Sequence, residues 1–455
     1  MEIETLIGIV GNKERVITED IPEIYQTDIL GRLKGCAQAV VKPVTTQQVS
    51  QIMRYANQNK IPVTPRGAGT NLVGSTVPDR GGIVLDLSDM NRIIEVDQET
   101  MTATVEPGVV LQDFQQYVES LGLFYPPDPG EKLATIGGNI STNAGGMRAV
   151  KYGVTRDYVQ GLEVVLADGT IMELGSKNRK DSSGLSLTNL VTGAEGTLAV
   201  ITKCIVKLIT RPETSVSAVI PFAGLQSGIE NVLAIQKLSV HPTALEFVER
   251  KVIRLGEEFL SLTFPYPEAE AYIILTIDGD EQQTQKELHL IRETVLQHGA
   301  LDFLILDEEA LTSRVWKIRG ALVKAVEAVS EQEPIDIVVP VNRTAEFVHY
   351  VNELQNKTGV TMVSFGHAGD GNVHLCVLKG QRTDEEWMPL RQECLSALYS
   401  KAYELGGLTS GEHGIGLTKK PFFIACTDPA KLTLMRQIKH AFDTNGILNA
   451  DKSYL

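Results

Sequence analysis

The chain has 455 residues, of which 43% are hydrophobic, and its 42 basic and 57 acidic side chains give a formal net charge of −15. At about 150 residues per domain, this length predicts two or three globular domains. The negative charge would repel a phosphate backbone and an anionic bilayer, which argues against nucleic-acid and membrane-surface roles. No apolar stretch reaches the ~20 residues of a membrane span, and the first residues lack the basic and apolar blocks of a signal peptide.

The cysteines indicate the redox compartment. Five of them stand singly, at Cys36, Cys204, Cys376, Cys394 and Cys426. An odd number without a C-x-x-C pair predicts neither a disulfide framework nor an iron–sulfur cluster. We therefore expect the protein in a reducing cytoplasm, where it could also lie at the periphery of a membrane complex.

A β-α-β unit is predicted near the start of the chain. Residues 39–41 form a short β-prone run, and a helix can begin at Thr45 or Thr46. A second strand, residues 61–64, leads into the glycine-rich segment 65–71. Glycines let backbone N–H groups approach an anion closely, so this segment predicts a site for a phosphate-bearing cofactor. The apolar face of the helix is Val49, Ile52, Met53 and Ala56.

The rest of the first half mixes strands and helices. Further strands are predicted at residues 83–87 and 102–106, and a helix at 110–122. Residues 125–153 are an irregular segment rich in Gly and Pro, and long irregular segments inside compact domains are usually functional. A hairpin that turns at Asp168-Gly169 follows, and we place a domain boundary near Arg211-Pro212.

The second half alternates strands with helices of 12 or more residues. This alternation predicts an α+β domain with helices on one face of a sheet. The chain from Ser410 onward is predicted to be helical until it nears Asn449. The predicted strands are residues 218–222, 244–248, 272–277, 335–339 and 360–365.

Two histidines form the strongest chemical signal. His367 and His374 flank the Gly369-Asp370-Gly371 turn, which can fold the chain back and bring both imidazoles to one metal ion. Glu412, within Gly411-Glu412-His413-Gly414, offers a carboxylate. Two imidazoles and one carboxylate leave coordination positions open for a substrate oxygen. The alternative is a pair of hydrogen-bonded core histidines that bracket an ordinary turn.

Several motifs in sequence order resemble one flavoprotein family. They are Arg66-Gly67-Ala68-Gly69-Thr70, Pro127-Asp128-Pro129, the stretch from Ala134 to Gly146, Tyr152-Gly153, Glu195-Gly196-Thr197-Leu198, H-x-G-D-G-N-x-H and G-E-H-G. Over residues 27–452 the chain resembles the FAD-dependent 2-hydroxy-acid dehydrogenases, namely the glycolate oxidase D-subunit, D-lactate dehydrogenase and D-2-hydroxyglutarate dehydrogenase family, within the vanillyl-alcohol-oxidase type of flavoprotein. One glycine motif alone would be weak evidence, whereas the ordered set is specific.

The resemblance implies a fold and its division. It implies an α+β protein, with a vanillyl-alcohol-oxidase-type FAD-binding domain of two α/β subdomains and an α+β cap domain that contains an antiparallel sheet. We expect an N-terminal helical segment over residues 1–30 and the FAD-binding domain over 31–211. The substrate or cap domain would span 212–409, and residues 410–455 would pack back on the FAD domain.

The resemblance also implies the FAD contacts. A dinucleotide needs backbone donors for its pyrophosphate and close walls around its flat ring, both of which glycines permit. The loop at 65–71 contains no histidine to which flavin could be attached, so non-covalent FAD is expected. The implied contacts are Pro65, Arg66, Gly67, Ala68, Gly69, Thr70, Asn71, Pro127, Asp128, Thr135, Gly137, Gly138, Asn139, Ser141, Asn143, Gly145, Tyr152, Gly153, Glu195, Gly196, Ile201 and Asn449.

For the chemistry, the resemblance implies that His367, His374 and Glu412 hold a divalent metal, zinc first, with iron and manganese as alternatives. A metal that binds the hydroxyl of a 2-hydroxy acid would lower the pKa of that hydroxyl. His413 is the candidate general base, and a surface histidine is the alternative interpretation. Adjacent Glu412 and His413 would point to opposite sides in an extended strand, but the glycines at 411 and 414 would allow a loop in which both face the site.

Substrate recognition is predicted at two places. Arg319, in Trp316-Lys317-Ile318-Arg319, matches the family's W-x-x-R element and is the candidate partner of the substrate carboxylate. A solvated helix charge is the alternative. Hydroxyglutarate enzymes carry a lysine where this chain has Pro334 and an asparagine where it has Cys376. Fewer polar groups for a distal carboxylate favour a short substrate such as lactate or glycolate.

The sequence thus predicts an enzyme that oxidises a short 2-hydroxy acid with FAD and a metal. A non-catalytic flavin electron-transfer subunit is the alternative, but it should lack the histidine and glutamate set. A relative of acyl-glycerone-phosphate synthase is a third candidate, and it would not need the metal motif. Electrons must leave through an external acceptor, such as an electron-transferring flavoprotein, an iron–sulfur subunit or a quinone. The resemblance leaves a homodimer open.

Overall fold

A computed structural model describes residues 1–455, which fold into two compact units. The first unit contains Met1–Gly145, Val154–Arg211 and Glu412–Leu455, and the second contains Gly146–Gly153 and Pro212–Gly411. The chain crosses between the units at Arg211, where the sequence predicts a boundary. Residues 146–153, expected in the FAD-binding domain, belong to the second unit. None of the helices combines the length and the apolar composition that a membrane crossing needs.

The first unit is built mainly from short strands. They are β1 (Val16–Ile17), β2 (Ala39–Val41), β3 (Val63–Arg66), β4 (Ile83–Asp86), β5 (Ile93–Asp97), β6 (Thr102–Val105), β7 (Leu123–Phe124), β8 (Val159–Val165), β9 (Ile171–Gly175), β10 (Val200–Lys207) and β11 (Ile209–Thr210). Its α-helices are α1 (Ile3–Val10), α2 (Thr46–Gln58), α3 (Leu111–Ser120), α4 (Ile136–Thr142), α6 (Leu187–Val191), α13 (Lys420–Cys426) and α14 (Pro429–Phe442).

A four-stranded sheet, ordered β1-β2-β4-β3, positions the first glycine-rich loop. β2, β4 and β3 are parallel, and α2 connects β2 to β3. Thr45 caps α2 because its Oγ1 accepts a hydrogen bond from the N–H of Gln48 at 3.2 Å. The predicted apolar face of α2 is buried against this sheet. The predicted β-α-β unit is therefore confirmed, and β3 leads directly into Gly67.

A five-stranded antiparallel sheet, ordered β5-β6-β10-β8-β9, completes the first unit's main framework. The predicted hairpin between β8 and β9 is confirmed. The Oδ1 of Asp168 accepts a hydrogen bond from the N–H of Thr170 at 2.8 Å. Gly169 has φ +86°, and a Cβ there would lie 2.6 Å from the backbone oxygen of Ser50, so only glycine fits this turn. A separate antiparallel pair joins β11 to β7.

The second unit contains longer strands and helices. The strands are β12 (Thr214–Phe222), β13 (Ala244–Glu249), β14 (Ala271–Gly279), β15 (Leu304–Ile305), β16 (Gln332–Val338), β17 (Met362–His367) and β18 (Asn372–Leu378). The helices are α5 (Ala149–Tyr152), α7 (Leu225–Gln236), α8 (Arg250–Leu260), α9 (Glu281–Gln297), α10 (Glu309–Val329), α11 (Thr344–Thr358) and α12 (Asp384–Glu404).

These strands form one antiparallel sheet, ordered β15-β12-β14-β13-β17-β18-β16. Helices α7, α9 and α11 pack on one face, where the core includes Leu245 and Phe247. Helices α8 and α10 pack on the other, where the core includes Val248 and Phe365. The prediction that helices cover one face is wrong, because the strands present apolar side chains alternately to both faces.

Residues 125–153 are not irregular throughout, since they contain α4 and α5. Thr135 caps α4 by accepting a hydrogen bond from the N–H of Gly138 at 3.3 Å. A helical glycine costs about 1 kcal/mol relative to alanine, which is why the sequence pattern hides α4. Tertiary packing requires Gly137, because a Cβ there would lie 2.5 Å from the Cβ of Pro107.

Candidate functional site

The predicted pyrophosphate loop follows β3 and closes tightly on itself. Gly69 has φ +75°, and a Cβ there would clash with the guanidinium of Arg66. Burial lowers the pKa of Arg66, whose guanidinium lies 5.4 Å from the ring centre of Tyr25. Arginine nevertheless stays protonated. The loop also contains Pro65, Thr70 and the exposed Ala68. The positive charge of Arg66 suits an anionic group.

Asn71 fixes the end of this loop. Its Oδ1 accepts hydrogen bonds from the N–H groups of Val73 and Ser75, each at 3.0 Å. Its Nδ2 donates to the backbone oxygen of His413 at 3.2 Å. Within the first unit, Asn71 therefore ties the glycine-rich loop to the backbone of the candidate general base.

The start of α4 lies against the same loop. A Cβ at Gly67 would clash with Oγ1 of Thr135, the N-cap of α4. On α4 itself, Asn139 is 4% exposed, and its Nδ2 has no hydrogen-bond partner within the protein. A buried unpaired donor costs about 1–3 kcal/mol, so an acceptor on a ligand would remove a penalty. This donor, together with the glycine-rich loop, makes the first unit fit a flavin dinucleotide.

The remaining predicted FAD contacts of the central segment pack against other residues of the first unit. Ser141 offers its backbone oxygen to the N–H of Glu195 at 2.7 Å. Asn143 ends α4 with φ 51°, and a Cβ at Gly145 would lie 2.9 Å from Cγ of Glu412. The Pro127 oxygen accepts a hydrogen bond at 2.9 Å from Gln115, and Asp128 is paired with Lys132.

Glu195 organises the loop that follows His413. Its Oε1 accepts hydrogen bonds from the N–H of Ile415 at 2.9 Å and from the hydroxyl of Ser453 at 2.8 Å. Its Oε2 accepts from the N–H of Gly416 at 2.9 Å and from the hydroxyl of Ser75. The carboxylate of this predicted FAD contact is thus committed to protein donors.

Asn449, close to the C-terminus, is brought back to the same region of the first unit. Its Nδ2 donates to the backbone oxygen of Glu195 at 2.7 Å, and its Oδ1 accepts from Nζ of Lys452 at 2.8 Å. A Cβ at Gly196 would lie 3.3 Å from that Nδ2. Ile201 is buried on β10. The structure therefore gathers chain segments that lie almost 400 residues apart in the sequence.

Tyr152 and Gly153 belong to the second unit, whereas the other predicted FAD contacts belong to the first. The hydroxyl of Tyr152 donates to Oδ1 of Asp278 at 2.8 Å, and Lys151 is paired with the same carboxylate. Gly153 follows α5 with φ 83°. Within their own unit, these residues attach α5 to the end of β14.

The hairpin of β17 and β18 carries His367 and His374. Their ring centroids lie 5.0 Å apart, with the rings perpendicular. Gly371 has φ +79°, and a Cβ there would clash with the backbone oxygen of Val339. The prediction that the turn brings the two imidazoles together is confirmed. His367 is also buried and hydrogen-bonded, as the alternative of a core histidine requires. The ring atom that makes this bond, to Glu246, is Nδ1.

Glu246 is a site residue that the sequence analysis missed. It is fully buried, and its Oε1 lies 2.5 Å from Nδ1 of His367. Its Oε2 accepts hydrogen bonds from Arg319, at 3.0 Å from Nε and also from Nη2. Burial by itself would raise the Glu246 pKa, but the charges and hydrogen bonds of His367 and Arg319 outweigh that effect and lower the pKa to about 2. Arg319 is therefore an ion-paired side chain rather than a solvated helix charge.

A second missed carboxylate, Asp336, anchors the end of the second unit. Its Oδ1 accepts a hydrogen bond from Nδ2 of Asn372 at 2.6 Å, and its Oδ2 accepts one from the hydroxyl of Ser410 at 2.7 Å. The N–H of Gly411 points to both oxygens at 3.2 Å. Asp336 is also the cross-strand neighbour of His374. A Cβ at Gly411 would lie 2.5 Å from Nδ2 of Asn372, so this position needs glycine.

Glu412 and His413 come directly after Gly411 and belong to the first unit. They lie outside any strand, so the opposed side-chain directions of an extended strand do not apply. Gly414 has φ +83°, and a Cβ there would lie 2.9 Å from the Glu195 carboxyl carbon. The glycines at both ends of G-E-H-G are thus required by close packing.

One sequence signal could have identified the missed carboxylates. Glu246 interrupts the apolar run Ala244–Val248, and Asp336 interrupts Ile335–Val339. Fully buried acidic residues are rare unless they are paired. A single acid inside a strand that is otherwise apolar therefore indicates a nearby cation or donor cluster.

Two family models match most of the chain. A model of FAD binding domains matches residues 37–175, and a model described as FAD linked oxidases, C-terminal domain, matches residues 211–453. The chain is 40% identical to a D-lactate dehydrogenase of Anaerostipes hadrus, covering 97% of this chain and 95% of the relative. It is 36% identical to the glycolate oxidase subunit GlcD of Bacillus subtilis, covering 97% and 96%.

A solved structure defines the fold type. That of p-cresol methylhydroxylase matches with a TM-score of 0.80 over 98% of this chain and 95% of that one, at 17% identity. Such a low identity supports the fold alone, and the predicted vanillyl-alcohol-oxidase type of fold is confirmed. With both family models and the close relatives in agreement, the chain belongs to the FAD-linked oxidases and is a FAD-dependent oxidoreductase.

Proposed function

We propose that the protein oxidises a short 2-hydroxy acid, D-lactate or glycolate first, to the corresponding 2-keto acid. The observation that carries this proposal is the match over 97% of the chain to relatives named for D-lactate and for glycolate. When bound, FAD supplies the acceptor for the hydride that leaves the substrate's Cα. The proposed FAD contacts are the residues of the first unit described above, with Tyr152 and Gly153 of the second.

We further propose that His367, His374 and Glu412 hold a divalent metal, zinc before iron or manganese. Each offers one ligand atom of the kind that such ions bind. The paired imidazoles on the hairpin support this set. Glu412 follows Gly411, whose N–H is held by Asp336 beside His374. When bound, the metal supplies a positive charge for the substrate's hydroxyl and carboxylate oxygens.

The chain's own side chains would perform the remaining steps. His413 would take the hydroxyl proton, and Asn71 supports that role by holding the His413 backbone. Arg319 would bind the substrate carboxylate. Glu246 accepts hydrogen bonds from Nε and Nη2 of Arg319. The guanidinium has further N–H donors on its terminal nitrogens, which the substrate carboxylate would accept.

A short substrate is favoured by the side chains around His374. Pro334 and Cys376 are direct cross-strand neighbours on β16 and β18. Cys376 is 2% exposed, and burial raises the pKa of its thiol to about 12, so the thiol stays neutral. Two uncharged side chains offer little to a second carboxylate, which supports lactate or glycolate over 2-hydroxyglutarate.

For the electrons, we propose an external redox protein, either an electron-transferring flavoprotein or an iron–sulfur subunit. The name of the Bacillus subtilis relative, a subunit, supports membership in a complex. The five cysteines are free thiols in the structure. We propose that such a complex is cytoplasmic.

The decisive experiment is anaerobic mixing of the purified FAD-loaded protein with single 2-hydroxy acids while the visible flavin band is recorded. The acids are D-lactate, L-lactate, glycolate, malate and 2-hydroxyglutarate. We expect D-lactate or glycolate to bleach the flavin fastest. If no acid bleaches it, the dehydrogenase proposal is lost. If bleaching is unaffected after complete metal removal by a chelator, the metal proposal is lost.

A further inference from the structure

Glu246 occupies an unusual place for a carboxylate. It lies in β13, near the middle of the seven-stranded sheet, and is fully buried. Ionised carboxylates are not found in such places unless cations and donors compensate for the lost water. Its side chain therefore has a specific task there, and its two partners indicate which.

Strand register brings Glu246 to His367. The two residues are direct cross-strand neighbours on β13 and β17, so their side chains project from the same face of the sheet. His374 projects from that face as well, because its cross-strand neighbour is Phe365, two residues before His367. The two histidines are therefore diagonal neighbours on β17 and β18. The Glu246 carboxylate thus lies behind the first of two paired imidazoles.

The contact decides which nitrogen of His367 carries the proton. An ionised carboxylate only accepts hydrogen bonds, so the Nδ1 atom 2.5 Å from Oε1 must be the N–H. In the neutral imidazole the lone pair then lies on Nε2. A histidine that ligates a metal through Nε2 needs this tautomer, and a carboxylate behind the ring fixes both its tautomer and its orientation.

Arg319 places a permanent positive charge beside the Glu246 carboxylate. Its guanidinium donates to Oε2 from both Nε and Nη2. The guanidinium also lies 5.6 Å from the ring centre of Phe365, the residue that pairs with His374. The arginine thus supplies a positive charge that compensates for the burial of the carboxylate.

We propose that Glu246 is a positioning residue shared by two parts of the site. One oxygen fixes His367 in the tautomer that presents Nε2 to a divalent metal, and the other clamps Arg319 in the orientation that receives the substrate carboxylate. This inference rests on the proposed function, since it assigns a role to Glu246 toward the proposed metal and the proposed substrate.

The test measures metal affinity in the FAD-loaded protein without substrate. Zn²⁺ is removed by a chelator of known affinity, and the competition curve gives the dissociation constant for the wild type and for Glu246→Gln. The amide of glutamine can donate to Nδ1 and so favour the opposite tautomer. We expect Zn²⁺ binding to weaken by about 10- to 100-fold, the range for loss of a carboxylate behind a metal-ligating histidine.

The same strand provides a matched control. Glu249 is also a buried carboxylate of β13, and it accepts a hydrogen bond from Ser364 of β17. Its other partner is Lys251. Glu249→Gln should keep the wild-type affinity for Zn²⁺, whereas a loss equal to that of Glu246→Gln would reduce the effect to general damage of β13 and overturn the assignment.

A second measurement does not require Glu246→Gln to fold. In wild-type protein labelled with ¹⁵N-histidine and stripped of metal, the ring signals of His367 are identified by their absence in His367→Ala. We expect the proton on Nδ1; a neutral ring protonated on Nε2 would overturn the proposal.

The outcomes separate this inference from the proposed function. If folded Glu246→Gln binds Zn²⁺ with the wild-type affinity, the proposed role of Glu246 is overturned, whatever the flavin assay shows. Absence of flavin reduction by every acid overturns the proposed substrate while the metal measurement still stands. In Glu246→Gln saturated with Zn²⁺, a rise in KM for the acid with unchanged FAD content would support the clamp on Arg319, and an unchanged KM would overturn that half.

Discussion

Asp336 and Asn372 are hydrogen-bonded side chains, with 2.6 Å between Oδ1 and Nδ2, and both are buried. They lie on the neighbouring strands β16 and β18, and the same carboxylate receives the hydroxyl of Ser410 and the N–H of Gly411. One acidic side chain therefore connects the histidine hairpin to the segment that precedes Glu412.

Asp336→Asn should destabilise the protein and slow flavin reduction. The new amide group turns a donor toward other buried donors, and an unsatisfied buried polar group costs about 1–3 kcal/mol. Urea unfolding would measure the loss of stability. Asp307→Asn, an exposed position of the same unit, should change the unfolding free energy by less than about 0.5 kcal/mol. Equal stability of both variants would show that Asp336 does not hold the segment.

Gly69→Ala should reduce FAD retention. The residue has φ +75°, and the added methyl group would clash with Arg66. Strain of about 1–3 kcal/mol at such a position would correspond to roughly a 5- to 150-fold loss of affinity. The ratio of flavin to protein after gel filtration provides the measurement. Gly8→Ala is the control, because α1 leaves open space around Gly8, and it should retain all of the flavin.

His413→Ala should keep FAD and metal bound but slow the reduction of the flavin by the acid. Loss of a general base typically costs about 100-fold or more. Stopped-flow recording of the flavin band under anaerobic conditions gives the rate. His440→Ala, an exposed histidine on α14 of the same unit, should reduce flavin at the wild-type rate. An unchanged rate in His413→Ala would remove this residue from the base role.

Lys452 should make stability depend on alkaline pH. It is buried, and burial lowers its pKa to about 8, although its Nζ donates to Asn449 and to the backbone oxygen of Ser75. Between pH 8 and the unfolded-state pKa near 10.5, the unfolded chain binds a proton that the folded chain has lost. Stability from this group therefore rises with pH in that window.

The measurement compares the wild type with Lys452→Met by urea unfolding at several pH values from 8 to 10.5. At about 1.4 kcal/mol for each pKa unit, the stability of the wild type relative to the variant should rise by about 3 kcal/mol at most. Parallel curves for the two proteins would mean that Lys452 titrates at its ordinary pKa.

Local sequence patterns predicted much of the framework. Helical spacing and a threonine cap identified α2, the Asp168-Gly169 pair identified the hairpin between β8 and β9, and the glycine turn before His374 identified the histidine hairpin. In each case the residues that signal the element lie within a few positions of one another. By contrast, α4 was hidden because its glycines oppose a helix locally, and Gly137 is required by its close approach to Pro107.

The sequence by itself determined which residue types could bind a flavin and a metal, because glycine-rich loops and the histidine pair are local patterns with their own chemistry. Only the tertiary structure decided that Glu246 contacts Nδ1 of His367 and forms an ion pair with Arg319. The same is true of the hydrogen bond that Asp336 accepts from the N–H of Gly411. These contacts join residues 73 to 121 positions apart. Strand register, set by the packing of the whole sheet, creates them, and no local spacing encodes it.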